Sequence, residues 1–331
     1  MFDRRFLGGF HVYAIVLVTL VVFDHQLTRA ADVHSLSWVK LNPPISPSAR
    51  ENFAMAYDPI SKKTILFGSA NETNLFGDTW AFDGQSWTQI QTLVAPSPRI
   101  GVMLAYDVAT KKMVMFGGEG DQAILGDTWL WDGATLTWTQ ANPKSSPGPL
   151  IGAMLFTDPK DGHAELFGGF NGTIDSGLTW KWTGSSWIEL HPLVSPSARH
   201  AAIVGNDIVN KNVVISDGLG SLNPISTWTW DGDVWTEEFP SNALPDFSFT
   251  GTAYDPSLQR LLVFGGMTGL GPLNVTVAWT GSNWLLVPTQ QAPPPRMLLG
   301  MAYDRTNHET IIFGGVGKTD LLNDTWKLTA H

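Results

Sequence analysis

Arg99-Ile100-Gly101-Val102-Met103-Leu104-Ala105-Tyr106-Asp107, then Met113-Val114-Met115-Phe116-Gly117-Gly118, then Gly126-Asp127-Thr128-Trp129-Leu130-Trp131-Asp132-Gly133 and Trp138-Thr139-Gln140 make up one unit of an internal repeat. The Phe-Gly-Gly element recurs at Phe116, Phe167, Phe264 and Phe313, with Phe67-Gly-Ser and Ser216-Asp-Gly in the other two places, in steps of 49, 51, 49, 48 and 49 residues along the chain. Working outward, a tyrosine column holds Tyr57, Tyr106, Thr157, Asn206, Tyr254 and Tyr303, and an Asp follows each member. Seven residues before it stands a column of Arg50, Arg99, Leu150, Arg199, Phe247 and Arg296.

All 15 tryptophans fall into register. Trp80, Trp129, Trp180, Trp228 and Trp326 form one column, with Val277 in the remaining place. Trp131, Trp182, Trp230 and Trp279 form a second, completed by Phe82 and Leu328. Trp38, Trp87, Trp138, Trp187, Trp235 and Trp284 form the third. A buried Trp removes about 150–250 Å² from water at about 25 cal/mol/Å², so such a stripe is what stacked repeats need for a shared core.

Each unit reads as four short strands. Strand a runs from the arginine to Tyr-Asp. Strand b is the apolar run ending in Gly-Gly, strand c is Asp-Thr-Trp-x-Trp with alternating aromatics, and strand d begins at the third Trp. The Asp of Tyr-Asp opens the a–b turn by accepting from turn backbone. Asp83-Gly84, Asp132-Gly133 and Asp231-Gly232 close c–d hairpins. A four-stranded repeat near 50 residues with Gly-Gly, Tyr and spaced Trp resembles the kelch family, over Ser37 to Leu328. The resemblance implies an all-β fold: a six-bladed β-propeller with four antiparallel strands per blade around a central channel.

The last repeat lacks a third Trp, and an orphan third-Trp strand around Trp38 precedes the first repeat. The N-terminal strand is therefore expected to complete the last blade and close the ring, removing the open edges of a linear array. The expected organisation is a targeting segment over 1–30 and one propeller over 31–331. Its repeats lie near 43–91, 92–141, 142–191, 192–240, 241–289 and 290–328, with the closing strand at 36–41.

Arg4 and Arg5 precede an apolar run from Phe6 to Phe23, followed by Thr28-Arg29-Ala30-Ala31. This reads as a signal peptide, or else as an uncleaved anchor, so export to the periplasm or the exterior is expected. Membrane contact would come only through such an anchor. Net charge is −10 with no basic stripe, which disfavours nucleic acid. The absence of cysteine removes disulfides, thiol nucleophiles and Cys-ligated zinc. The eight histidines show no metal spacing, and no phosphate loop or Gly-x-Ser-x-Gly is present, so no metal and no cofactor are expected. The chain reads as a monomer.

Candidate ligand-binding residues are Arg50, Arg99, Arg199 and Arg296, together with Glu51, Glu119 and Asp121. The arginines begin the innermost strands, and the b–c loops are the segments that vary most between repeats. An arc of Arg296, Arg50 and Arg99 would suit an anion or acidic peptide. A plainer account is that each arginine pairs with a carboxylate or carbonyl of an adjacent blade as a repeated device. The resulting expectation is a binding module for a protein or carbohydrate ligand at the mouth formed by d–a and b–c loops. The alternative is a carbohydrate-active enzyme similar to sialic-acid epimerases of kelch type, with Arg50, Arg99, Arg296 and Glu51 at the centre. Four Asn-x-Thr sequons, at Asn71, Asn171, Asn274 and Asn323, matter only if the host glycosylates secreted proteins.

Overall fold

The computed structural model describes residues 36–220, 226–244 and 247–330. The targeting segment expected over 1–30 lies outside them, as does Asn223 of the fourth b–c loop. Six four-stranded antiparallel sheets follow one another around a central axis. The inner strands are Ala54–Asp58, Met103–Asp107, Met154–Thr157, Ile203–Asp207, Gly251–Asp255 and Gly300–Asp304. Adjacent inner strands contact each other all the way round, including the first with the last.

The ring closes where the sequence pattern requires it. Leu36–Leu41 pairs with Leu321–Ala330 as the outer strand of blade 6, with Trp38 opposite Leu328. The Trp38 indole donates to Thr276 Oγ1 of blade 5 at 3.0 Å. Every third-column Trp does the same to the strand c Thr just before the first-column position of the preceding blade: Trp87 to Thr325, Trp138 to Thr79, Trp187 to Thr128, Trp235 to Thr179 and Trp284 to Thr227. The large ring fills the gap between sheets, and its one polar atom is satisfied in the same place.

Inner strands begin later than the arginines. Arg50 to Phe53 instead form a crossing segment, and residues two beyond each arginine-column position link the blades. Ala201 N donates to Gly152 O, Gly152 N to Gly101 O, Gly101 N to Asn52 O, Asn52 N to Leu298 O, and Leu298 N to Phe249 O. All six of these residues have positive φ, between 51° and 65°. Only Gly101 and Gly152 adopt that region freely, so the four others are held there by the surrounding ring.

The Gly-Gly element clamps the next blade. A Cβ on Gly117 (φ 66°) would sit 2.3 Å from the Leu150 carbonyl oxygen, and Gly118 N donates to that same oxygen at 2.8 Å. Only glycine permits this approach with this backbone. Buried clusters formed this way span neighbouring blades, as where Ile65 and Phe67 of blade 1 pack with Met113, Met115 and Trp131 of blade 2.

Candidate binding face

The arginine column lies inside the blades. Arg50, Arg99 and Arg199 are 1% exposed and Arg296 is fully buried. Arg99 Nη1 and Nη2 grip Asp127 bidentately at 2.5 and 2.9 Å. Its remaining donors go to Ser97 O, Ser97 Oγ and Gly117 O. Arg50 repeats the pattern with Asp78, Ser48 and Gly68 O, and stacks over Phe76. All five guanidinium N–H groups are thus committed in each. Arg296 pairs with Asp324 in the same way, with Pro294 O as acceptor for Nε.

Each of these carboxylates also accepts from the first-column indole: Trp80 to Asp78, Trp129 to Asp127 and Trp326 to Asp324. The Arg99 pair holds the Asp127 carboxyl below its ordinary range against the opposing effect of burial, and Arg296 does so for Asp324. In blade 4, Ser226 takes the aspartate's place, accepting from both Arg199 and Trp228. The expected anion-binding arc is therefore a set of internal pairs. The partner is a carboxylate of the arginine's own blade, not of a neighbour. The tie to the neighbour is through backbone: Arg99 N donates to Phe76 O, and Ser69 N donates to Arg99 O.

Glu51 sits beside the ring residue Asn52 and bridges Ala70. Glu119 bridges both Ile100 and Ile124 in the second b–c loop, and burial raises its carboxyl. Asp121 is exposed at the tip of that loop. The structure thus gathers these acids on one face, where the arginines contribute no accessible charge. His200 turns inward, with Nδ1 2.6 Å from Asp175 Oδ1 and its ring against Phe170. The variable loops differ in form. Blades 1 and 6 extend strands b and c into a hairpin, while blade 5 carries a separate two-stranded hairpin, Met267–Thr268 with Gly271–Pro272.

A central cavity of about 700 Å³ runs between the inner strands, walled by residues such as Met55, Met103, Leu155 and Met301. Tyr57, Tyr106, Tyr254 and Tyr303 lie towards its a–b end. Burial raises the phenols of Tyr106, Tyr254 and Tyr303. Among the described residues no group of three or more His, Asp or Glu could hold a metal ion.

The Asp78, Asp127 and Asp324 partners were not singled out by sequence reasoning, although a signal exists. They stand 28 residues after their arginines. Where Leu150 replaces the arginine the corresponding residue is Leu178, and where Phe247 replaces it the residue is Val275.

Sheet number, the repeated Gly-Gly clamp and the tryptophan staples define a six-bladed propeller built from kelch units. The KLHDC2/KLHL20/DRC7 Kelch-repeats domain matches residues 21–218, and the chain belongs to the kelch-repeat family. No curated protein matches it closely enough to be described as a relative.

Proposed function

We propose that this chain is an exported interaction module whose d–a and b–c loops dock a segment of another protein. Kelch propellers generally mediate protein binding, which supports the class of function. The observation that carries the choice of face is the contrast between copied and uncopied parts. The copied Arg, Trp, Gly and Thr positions have contacts within and between blades that account for their repetition. The b–c loops differ in form from blade to blade, with hairpin extensions in blades 1 and 6 and a separate hairpin in blade 5, as binding loops on a rigid frame do.

Their exposed side chains favour a protein over a glycan. Ile174 and Leu270 are 65% and 90% exposed on the third and fifth b–c loops. Sugar platforms need open aromatic faces; the second- and third-column tryptophans are buried in the core, and Phe239 on a d–a loop is the large aromatic exposed on this face among the described residues. The enzyme alternative needs guanidinium groups at the centre, and those of Arg50 and Arg99 are committed to the blade. The basic and apolar N-terminal pattern supports export, which fusion of residues 1–40 to a reporter active only outside the cytoplasm would test.

Panning a random twelve-residue peptide library on the purified protein tests the docking face. Peptides are expected to lose binding when residues 119–125 or 268–271 are replaced by Gly-Ser, and to keep it when the a–b turns are altered. Peptides sensitive only to the a–b turns would reject this face.

A further inference from the structure

A groove of about 440 Å³ lies on this face between blades 1 and 2. Thr73, Asn74 and Leu75 of the first b–c loop form one wall, residues 120–125 the other, and Pro98 the floor. Leu75, Pro98, Ala123 and Leu125 give it an apolar lining.

The two loops that wall it carry charge of one sign. Glu72 and Asp121 are exposed on the two loops, and Glu119 is half-buried beside them. None of the three forms an ion pair among the described residues. Burial without a compensating cation raises the Glu119 carboxyl. The chain's nearest arginines, Arg50 and Arg99, are closed off and neutralised by Asp78 and Asp127. Exposed cations stand in the a–b turns at the other end of the blades, Lys62, Lys111, Lys160, Lys211 and Arg305, and on this face Lys144 and Lys318 are exposed but lie outside the groove lining. An apolar slot edged by unpaired carboxylates complements one kind of occupant. Its apolar residue fills the slot, and its cations restore the electrostatic balance lost when Glu119 is further desolvated.

We infer that this groove docks an extended segment of a partner protein in which an apolar residue is flanked by lysine or arginine. The inference rests on the docking face proposed above and specifies the chemistry of its partner. It reverses the polarity that the arginine column suggests when read from the sequence.

The test uses the peptides selected by panning on the full chain, with binding followed by fluorescence anisotropy. Lys- or Arg-flanked apolar residues are expected to be enriched. Affinity should fall at least tenfold in Glu72→Gln/Glu119→Gln/Asp121→Asn, and several-fold between 50 and 500 mM salt. Ala123→Arg, which places a cation on the exposed wall, should also abolish binding while the melting temperature stays unchanged. Peptides that depend on the b–c loops but are acidic or neutral, or that bind the triple variant equally well, overturn this inference and leave the docking face standing. A panning that yields no peptide sensitive to those loops removes both.

Discussion

Arg99 and Asp127 form a two-point pair within blade 2, while the Arg99 carbonyl accepts from Ser69 N of blade 1. One residue therefore ties its own strand c to the preceding blade. The guanidinium, planar and always charged, needs a carboxylate when it is buried this deeply. Blade 3 dispenses with both charges together, through Leu150 and Leu178.

The pair is accordingly expected to behave as a unit. Arg99→Leu alone should destabilise by about 2–4 kcal/mol in urea unfolding, because it strands Asp127 without its counter-charge. The double variant Arg99→Leu/Asp127→Leu, copying blade 3, should recover much of that loss. A harmless single substitution, or additive losses in the double, would show that the pair is not the structural tie described.

Ring closure makes a second expectation. Trp38→Ala should cost as much as Trp138→Ala, about 3–5 kcal/mol, although Trp38 lies on the first described strand and Trp138 in the middle of the chain. Thr276→Val, which removes the acceptor of the Trp38 indole but keeps the shape, should cost about 1–3 kcal/mol. Thermal unfolding of the three variants is the measurement; a Trp38→Ala protein that melts like the parent would deny the strand its closing role.

Glu165 predicts a pH dependence. It stands on strand b of blade 3, where the other blades carry aliphatic residues such as Val114 and Val214. Burial first, and then the negative charge of Asp158, raise its carboxyl to about 8, against the opposing pull of Lys181 and the Trp230 indole. The folded protein thus holds a proton that the unfolded chain has released between the ordinary value of 4.5 and about 8. The contribution to stability is complete below that window, declines as pH rises through it and is lost above it. Glu165→Gln should flatten this decline, by up to a few kcal/mol at pH 8 relative to pH 5. Parallel stability–pH curves for parent and variant would contradict the assignment.

Two glycines with similar backbone should respond differently to the same change. Gly117→Ala would drive a Cβ into the Leu150 carbonyl, whereas Gly148 (φ 84°) has nothing within 4 Å of its would-be Cβ. Gly117→Ala is expected to cost about 2–4 kcal/mol and Gly148→Ala only about 1 kcal/mol, from backbone strain alone. Chemical denaturation of both variants checks the contrast, and equal losses would mean that the clamp contributes nothing beyond φ.

Much of the architecture was legible in the residues. The three tryptophan columns marked strands c and d, and the displaced Trp38 announced which strand completes blade 6. Gly-Gly was read as a close approach, and the approach is to the carbonyl of the next arginine-column residue. The start of strand a was not legible, because positive φ at Asn52, Ala201, Phe249 and Leu298 has no residue signature. Asn tolerates it, but Ala, Phe and Leu side chains do not favour it; the backbone bonds between blades impose it.

The candidate site was less legible than the fold. Arg50, Arg99 and Arg296 stood out as scarce cations at repeated positions, but a column of residues does not say where the guanidinium points. By itself the sequence determined the period, the blade, the tryptophan core and the means of closing the ring, since each follows from the spacing of side chains along one chain. Only the tertiary structure decided that the arginines face Asp78, Asp127 and Asp324 and leave Glu72, Glu119 and Asp121 as the charges around the groove. Burial and pairing depend on which groups meet in space, and that sets which charges a partner can reach.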